Sequence, residues 1–592
     1  MRLTKRIFTC LLVGILIIAS LPFSASAETY KNDTYSYAVT TEFGAPGIRI
    51  LRYVSEENLS VIEVPAEIDG YPVVAIGKSA FEFNPAALAI ETIVLPEGLK
   101  YVEERAFYDC YGLKEIVFPS TLCSIGENAF AYCKQLTAVS VPEGVTEIKD
   151  FAFYRCDALC EVTIADSVTS VGKGVFSECR SLATAKVSGV IGDSMFEKCK
   201  QLQEVIFPDT VTTIGAYAFD SCAFLTSETF AIPDTVTFIG EFAFADCSGL
   251  TEINIPRDMT VIGDGAFALM TGLQSIDIPD KITAIGVCAF ARCTALTSVT
   301  IPESVTEIGG GAFSDCAALT AVVIPEGVTA IYGSTFENCT SLTSVAIPDA
   351  VTFIGESAFS GCKSLEPVTI PDVVTYIGEK AFFGCAMIED LAIPEDLTFL
   401  GKDAFAGTAY FTAYRADASN WEDDMLYIGS YLIEVRPDSG TEFHVKEGTT
   451  LIVDDAFSAA YSPSPYCVLY LPNSITYVGA KTAIWHRDQW VWVYYDGTPE
   501  EWDSNVRVDY SENSIHKSTS TFLVFLIPGD IDRDGHVAAS DAMLLRQYLA
   551  KLFVFEDEPW ETAEVNADVN RDGVINARDL LLLRRIIAGL AE

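Results

Sequence analysis

A single period governs most of this chain. The phrase Ile-Gly-x-x-Ala-Phe-x-x-Cys recurs, for example at Ile125-Gly126 with Ala129-Phe130 and Cys133, at Ile308-Gly309 with Ala312-Phe313 and Cys316, and at Ile354-Gly355 with Ala358-Phe359 and Cys362. Its phenylalanine serves as a ruler: Phe81, Phe107, Phe130, Phe153, Phe176, Phe196, Phe219, Phe244, Phe267, Phe290, Phe313, Phe336, Phe359, Phe382 and Phe405 are 23 residues apart, except for steps of 26, 20 and 25. Self-similarity at such a period predicts a stack of small units, none of which can bury its apolar side alone. Within one unit, Leu296-Thr297-Ser298-Val299-Thr300-Ile301 alternates as a half-buried strand does, and Pro302 ends the pairing. Val305 and Ile308 turn inward again, Gly309 supplies a bend, and a short helical or irregular segment through Ala312, Phe313 and Cys316 leads to Leu319, where the next strand starts. Each unit is then a closed coil that buries its core against the next coil, about 4.8 Å away along a parallel ladder. The expected fold class is a solenoid of 23-residue coils on a parallel β-sheet.

These residues resemble the BspA-type leucine-rich repeats of bacterial surface and secreted proteins. The likeness spans residues 71–408 and implies a leucine-rich-repeat solenoid. Departures are local: Phe196 follows a shortened coil, the coil of Phe244 carries two extra residues within Thr226 to Phe230, and Met270 and Thr408 stand where other coils have Cys. Residues 28–70, with Pro65-Ala66-Glu67-Ile68-Asp69-Gly70, resemble the atypical first rung and are read as a cap. From 409 to 510 the ruler fades, although Asp455-Ala456-Phe457 and Leu471 to Gly479 are recognisable rungs, and Trp490, Trp492 and Trp502 gather there. That stretch is read as degenerate closing repeats and a second cap, with an independent sugar-binding module as the other reading.

Twelve cysteines lie three residues after a ruler Phe, from Cys110, Cys133 and Cys156 through Cys293, Cys316, Cys339, Cys362 and Cys385. One thiol per rung, all facing the same way, is a poor arrangement for the near-90° torsion of a disulfide, so a buried ladder of free thiols is expected.

The first residues, Met1-Arg2-Leu3-Thr4-Lys5-Arg6, an apolar run from Ile7 to Leu21 and Ala25-Ser26-Ala27 read as a signal peptide over 1–27. The run is short of the roughly 20 residues that span a bilayer, and no later stretch is long enough for membrane insertion. Phe522 to Ile527, the most apolar of them, ends at Pro528-Gly529 and reads as a strand. An extracellular, secreted protein follows. Removing Arg2, Lys5 and Arg6 takes the formal charge from -44 to -47. Such a field repels nucleic acid and anionic lipid and suits divalent cations.

The strongest cation signal lies near the C-terminus. Asp530, Asp532, Asp534 and Asp541 occupy positions 1, 3, 5 and 12 of a loop, with Gly535 at position 6 for the sharp bend and the carbonyl of His536 at position 7. The pattern repeats with Asp568, Asn570, Asp572, Gly573, the carbonyl of Val574, Asn576 and Asp579. Each loop precedes an apolar helical pattern: Ala542, Leu545, Leu549 and Leu552, then Leu580, Leu583, Ile587 and Leu590. This duplicated loop-then-helix resembles the type I dockerin, the calcium-dependent module that binds cohesins on cellulosomal scaffoldins. The resemblance covers 529–592 after a linker at 511–528, and implies a small all-α domain holding two Ca2+ ions. It also implies cohesin contacts at Ala539, Ser540, Arg546, Gln547 and Lys551, and at Ala577, Arg578, Arg584, Arg585 and Gly589. The two sets differ, which points to one preferred orientation on a cohesin.

No catalytic residues are expected. Carboxylates are abundant only because acidic residues are, and His444, His486, His516 and His536 show no triad or metal spacing. The outward positions of the sheet, Glu115, Glu161, Glu204, Glu252, Asn254, Ser275, Asp277, Ser298 and Thr300, are small or acidic and suit a protein more than a sugar. A second stripe, Phe353, Tyr376 and Phe399 with matches at Phe238 and Tyr477, could grip a polysaccharide or a protein, or lie beneath the closing region. The function expected is a non-catalytic binding or adhesion protein anchored to a scaffoldin cohesin; the alternative is a cellulosomal polysaccharide-binding or polysaccharide-degrading component.

Overall fold

The computed structural model describes residues 29–42, 44–82, 85–437, 440–458, 466–479, 490–508 and 521–525. Residues 1–27, read above as a signal peptide, and the paired acidic loops of 529–592 lie outside the described residues. Two compact units divide the chain after Asp258.

In the first unit Thr29–Lys31, Tyr35–Thr40 and Gly47–Tyr53 form an antiparallel meander within the stretch read above as a cap. Its last strand pairs in parallel with Tyr71–Ile76, and from there the ladder runs through Tyr101–Val102, Ser124–Ile125, Glu147–Ile148 and Ser170–Val171. From Tyr101 on, these strands occupy the place that other coils fill with Val-Thr-x-Ile-Gly, such as Val305 to Gly309, and two residues are too few for alternation to announce a strand. The alternating strands expected from sequence form their own parallel ladders, Val61–Glu63, Thr92–Val94 and Glu115–Val117, then Ala138–Val141, Glu161–Ile164, Thr184–Lys186 and Glu204–Ile206. A coil with both segments paired therefore contributes two strands, as the one holding Ala138–Val141 and Glu147–Ile148 does.

The returning segment is not helical. Successive turns close it, Ala129 N–H to Gly126 O (3.2 Å) and Cys133 N–H to Phe130 O (3.2 Å). Alternate N–H groups reach the next coil: Asn128 to Asp150 O (2.9 Å), Phe130 to Ala152 O (2.7 Å) and Tyr132 to Tyr154 O (2.8 Å). This third hydrogen-bonded side places Asn128 and Tyr132 at positive φ, 52° and 63°, a left-handed conformation costing about 1–2 kcal/mol per residue.

The ruler rings are buried and stack on one another: Phe130 and Phe153 are 5.1 Å apart at 4°, and in the second unit Phe313 and Phe336 are 5.7 Å apart at 3°. Beside them stand the thiols, free and buried in all twelve ladder positions. Eleven of them, from Cys133 to Cys385, donate a hydrogen bond to the ruler carbonyl of the preceding coil, as Cys133 does to Phe107 O (3.2 Å) and Cys339 to Phe313 O (3.2 Å). A small apolar side chain with a weak donor fits that place. Burial pushes the thiols of Cys110 and Cys339 up to about 12.

Length changes are absorbed locally. The two extra residues of the Phe244 coil form a turn at Thr226 to Phe230, and the buried Phe230 ring packs edge-on against Phe207, Phe219 and Phe244. The shortened coil before Phe196 leaves the fully buried Ser188 hydroxyl without a hydrogen-bond partner.

The second unit repeats the pattern with Ser275–Asp277, Ser298–Thr300, Ala321–Val323 and Ser344–Ala346 in one ladder. Val261–Ile262, Ala284–Ile285 and Glu307–Ile308, then Ala330–Ile331, Phe353–Ile354, Tyr376–Ile377 and Phe399–Leu400, form the others. At Thr408 the coil changes course. Its hydroxyl donates to Phe405 O (2.8 Å) and accepts from Phe411 N–H (3.0 Å), so the residue that replaces Cys caps the helix Ala409–Ala416. An antiparallel hairpin, Met425–Ile428 and Tyr431–Val435, follows, and its second strand opens a further parallel ladder with Leu451–Ile452, Tyr477–Val478 and Arg507–Val508. A companion ladder, Glu442–His444, Tyr466–Leu471 and Trp490–Tyr495, runs on to Thr521–Phe525, inside the stretch read both as linker and as an apolar strand. The buried Tyr431 hydroxyl accepts from Leu397 N–H and donates to Pro394 O, both at 2.9 Å, which clasps hairpin to coil.

Two outcomes are expected. Ser188→Ala raises the melting temperature, by up to about 1–2 kcal/mol of stability, because it removes a buried hydroxyl that lacks a partner. Alkylation of the native protein at neutral pH, mapped by mass spectrometry, labels the exposed Cys160 first and leaves the twelve ladder thiols unmodified until the protein is unfolded.

Candidate functional site

Three surfaces present side chains suited to a partner, and each follows from the coil geometry. On the alternating ladder, Glu115, Glu161, Glu204 and Glu252 in the first unit and Ser275, Asp277, Ser298 and Thr300 in the second are exposed. Asn254 does something else: its amide accepts from Ile232 N–H (3.0 Å) and donates to Ile232 O (2.7 Å), suturing the coil in which the insertion removes a strand.

The aromatic stripe is the second surface. Parallel pairing puts Phe353, Tyr376 and Phe399 in register, and their rings stack at 4.5 Å and 15°, then 4.5 Å and 12°. The stripe is half-buried. Tyr477 of the closing region abuts Phe399 edge-on at 5.3 Å, and Tyr332 tilts against Phe353 at 6.3 Å. Burial, with Asp454 and Glu356 nearby, raises the Tyr376 phenol above its ordinary value, and Arg507 opposes this. Each ring therefore spends its faces on its neighbours and shows solvent an edge. A sugar stacks its C–H face on an open ring face, so this geometry favours a structural or protein-contacting role. Phe238, in the first unit, is 58% exposed.

In the companion ladder His444, Tyr470 and Tyr494 share a register. His444 stacks on Tyr470 at 4.2 Å and 5°, and Tyr470 on Tyr494 at 4.8 Å and 14°. The exposed His444 Nε2 lies 3.1 Å from Glu442 Oε1. Sequence reading missed this stack; its signal was an aromatic residue at an outward position of each degenerate rung.

The third surface is a cleft of about 720 Å³ in the second unit, where helix and hairpin part the coils. One wall is the last regular coil with Lys402 and Phe405; the others are Phe411 and Arg415 of the helix, Trp421, Ile433, Glu434 and Arg436 of the hairpin region, and Val453 to Asp455. Lys402 Nζ pairs with Asp455 at 2.6 Å, and Arg415 binds Glu434 through Nε (2.6 Å) and Nη2 (2.5 Å). The Arg436 guanidinium sits 4.2 Å from the Trp421 ring centre, and the indole N–H donates to Arg415 O (2.9 Å). Sequence reading gave this region a capping role, with an independent sugar-binding module as the other reading, and insertion of a helix between coils cannot be recognised as a cleft from spacing.

Among the described residues, no cluster of three or more His, Cys, Asp or Glu side chains is placed to hold a metal ion, and no helix is long and apolar enough to cross a membrane. The acidic loop residues expected to bind calcium and those expected to meet a cohesin lie outside the described residues.

The sequence pattern of the BspA type leucine-rich-repeat region, in six copies, matches residues 74–190, 187–297 and 285–412. The chain belongs to this family. The match covers more than half of the chain and ends inside the helix Ala409–Ala416, where regular stacking stops. A second match, to the dockerin type I domain, covers residues 528–588. Among solved structures, a leucine-rich-repeat protein from Bacteroides ovatus is similar to this BspA-type chain at 29% identity, with 65% of this chain and 96% of that one covered and a TM-score of 0.52. A leucine-rich cell surface protein from Faecalibacterium prausnitzii is similar at 28% identity over 62% of this chain and 95% of that one, with a TM-score of 0.40. No curated protein matches the chain.

The stacking of the stripe leads to a direct expectation. Tyr376→Ala leaves retention on insoluble cellulose and xylan unchanged and lowers stability by about 1–3 kcal/mol, read by pull-down and thermal melting. Lost retention at unchanged stability would show a sugar-gripping role instead.

Proposed function

We propose that this BspA-type chain is an exported, non-catalytic binding protein that its dockerin fastens to the cohesin of a scaffold through calcium. The observation that carries the reading is the type I dockerin match over 528–588, which falls on the duplicated acidic loops. A repeat scaffold joined to a docking module supports the non-catalytic reading, and the leader-like residues 1–27 support export to the extracellular space.

The donor set suits a hard cation. Asp530, Asp532, Asp534, Asp541 and the His536 carbonyl would hold one ion, and Asp568, Asn570, Asp572, Asn576, Asp579 and the Val574 carbonyl a second. The ions supply charge neutralisation, without which the carboxylates repel one another and oppose packing. Cohesin contact is assigned to Ala539, Ser540, Arg546, Gln547 and Lys551 and to Ala577, Arg578, Arg584 and Arg585. Because Gln547 in one half answers to Arg585 in the other, one orientation is preferred. The repeats are the displayed part, and their acidic and small outer positions favour a protein ligand there.

Titration of the full chain with calcium is expected to show two stoichiometric sites, with Asp530→Ala and Asp568→Ala each removing one. Capture by an immobilised type I cohesin is expected to vanish in EDTA. A chain without stoichiometric calcium, or captured equally well in chelator, would overturn the assignment.

A further inference from the structure

We propose that the cleft beside the helix Ala409–Ala416 binds a short neutral oligosaccharide. The site is independent of the dockerin and of the aromatic stripe. Its volume, about 720 Å³, lies within the range of roughly 300–1,000 Å³ typical of ligand sites.

The charges select the ligand class. The lining holds three cations, Lys402, Arg415 and Arg436, and four carboxylates, Asp403, Glu434, Asp454 and Asp455. The cations are matched by carboxylates: Lys402 by Asp455 at 2.6 Å, Arg415 by Glu434 at 2.5 Å and Arg436 by Asp424 at 3.3 Å. In a chain of formal charge -44, a lining of three positive and four negative groups is close to balance, and it attracts neither an anion nor a cation strongly. A paired guanidinium still has spare N–H donors, and a paired carboxylate spare lone pairs, set side by side. A hydroxyl group, donor and acceptor at once, fits such a couple.

The apolar lining supplies the complement. Phe411, Ile433 and Trp421 line the cleft, and the indole is held by its N–H bond to Arg415 O and by the Arg436 guanidinium. A ligand with hydroxyls at its edge and C–H groups on its face meets both kinds of wall, and a pyranose is that ligand. A peptide adding as a strand is disfavoured, because the strand carrying Ile433 and Glu434 is already paired with Met425–Ile428 and Leu451–Ile452 on its two sides.

Saturation-transfer NMR on the full chain, with neutral gluco-, xylo-, manno- and galacto-configured tetrasaccharides as probes, tests this. At least one probe should bind at millimolar concentration and weaken tenfold or more on Ala416→Trp, which fills the cleft from an exposed helix position, and on Glu434→Gln. Melting temperatures of both variants are read alongside, and Phe353→Ala should leave binding unchanged. No binding by any probe, binding that survives both cleft variants, or tighter binding of an oligogalacturonate or an acidic peptide would overturn the proposal.

Discussion

Hydrogen bonding from one coil to the next is the constraint on which the rest depends. A coil of 23 residues encloses too little to form a core, so its polar backbone and its apolar rings must both be satisfied by neighbours. The Val-Thr-x-Ile-Gly strands, the alternating strands and the turn segment each carry that traffic, and the turn accepts left-handed residues such as Asn128 and Tyr132 to do so. The ring stack and the thiol-to-carbonyl contacts then fill the interior in the same register. Registry comes from the backbone and filling comes from the ruler.

Deviations from the period show how firmly that registry is kept. Extra residues at Thr226 to Phe230 are folded into a turn, with Asn254 replacing lost strand contacts by its amide. A single exchange, Thr408 for Cys, has larger reach. A thiol in that place donates to a carbonyl of the preceding coil, whereas the Thr408 hydroxyl caps the following N–H groups and starts a helix. The helix and hairpin then part the coils, and the paired charges of the cleft line the gap. A site thus arises from a local failure of repetition.

The repeat architecture was legible because the ruler Phe and the alternating Val and Ile report burial directly. The thiol ladder was legible from its spacing, but its carbonyl partners were not, since they belong to another coil. The short strands escaped notice because Phe353–Ile354 and its kin hold too few residues to show a period. The Phe353, Tyr376 and Phe399 stripe was legible as a register and a stack, while its half-burial, which decides what the stripe can offer, depends on neighbours such as Tyr477 that come from beyond the regular coils. The cleft was hidden because Arg415, Trp421 and Glu434 converge only after the hairpin has paired with Leu451–Ile452.

The meander that begins the described chain carries a consequence for self-association. A parallel ladder ends in a row of open N–H and C=O groups, to which another chain can add and so seed a fibre. Here the sheet order terminates in Thr29–Lys31, a three-residue polar strand lying antiparallel to its neighbour and ending in a cation. Such a short, charged border gives an incoming strand little to template on, so at that end growth of the stack into polymers is discouraged by the same residues that close it.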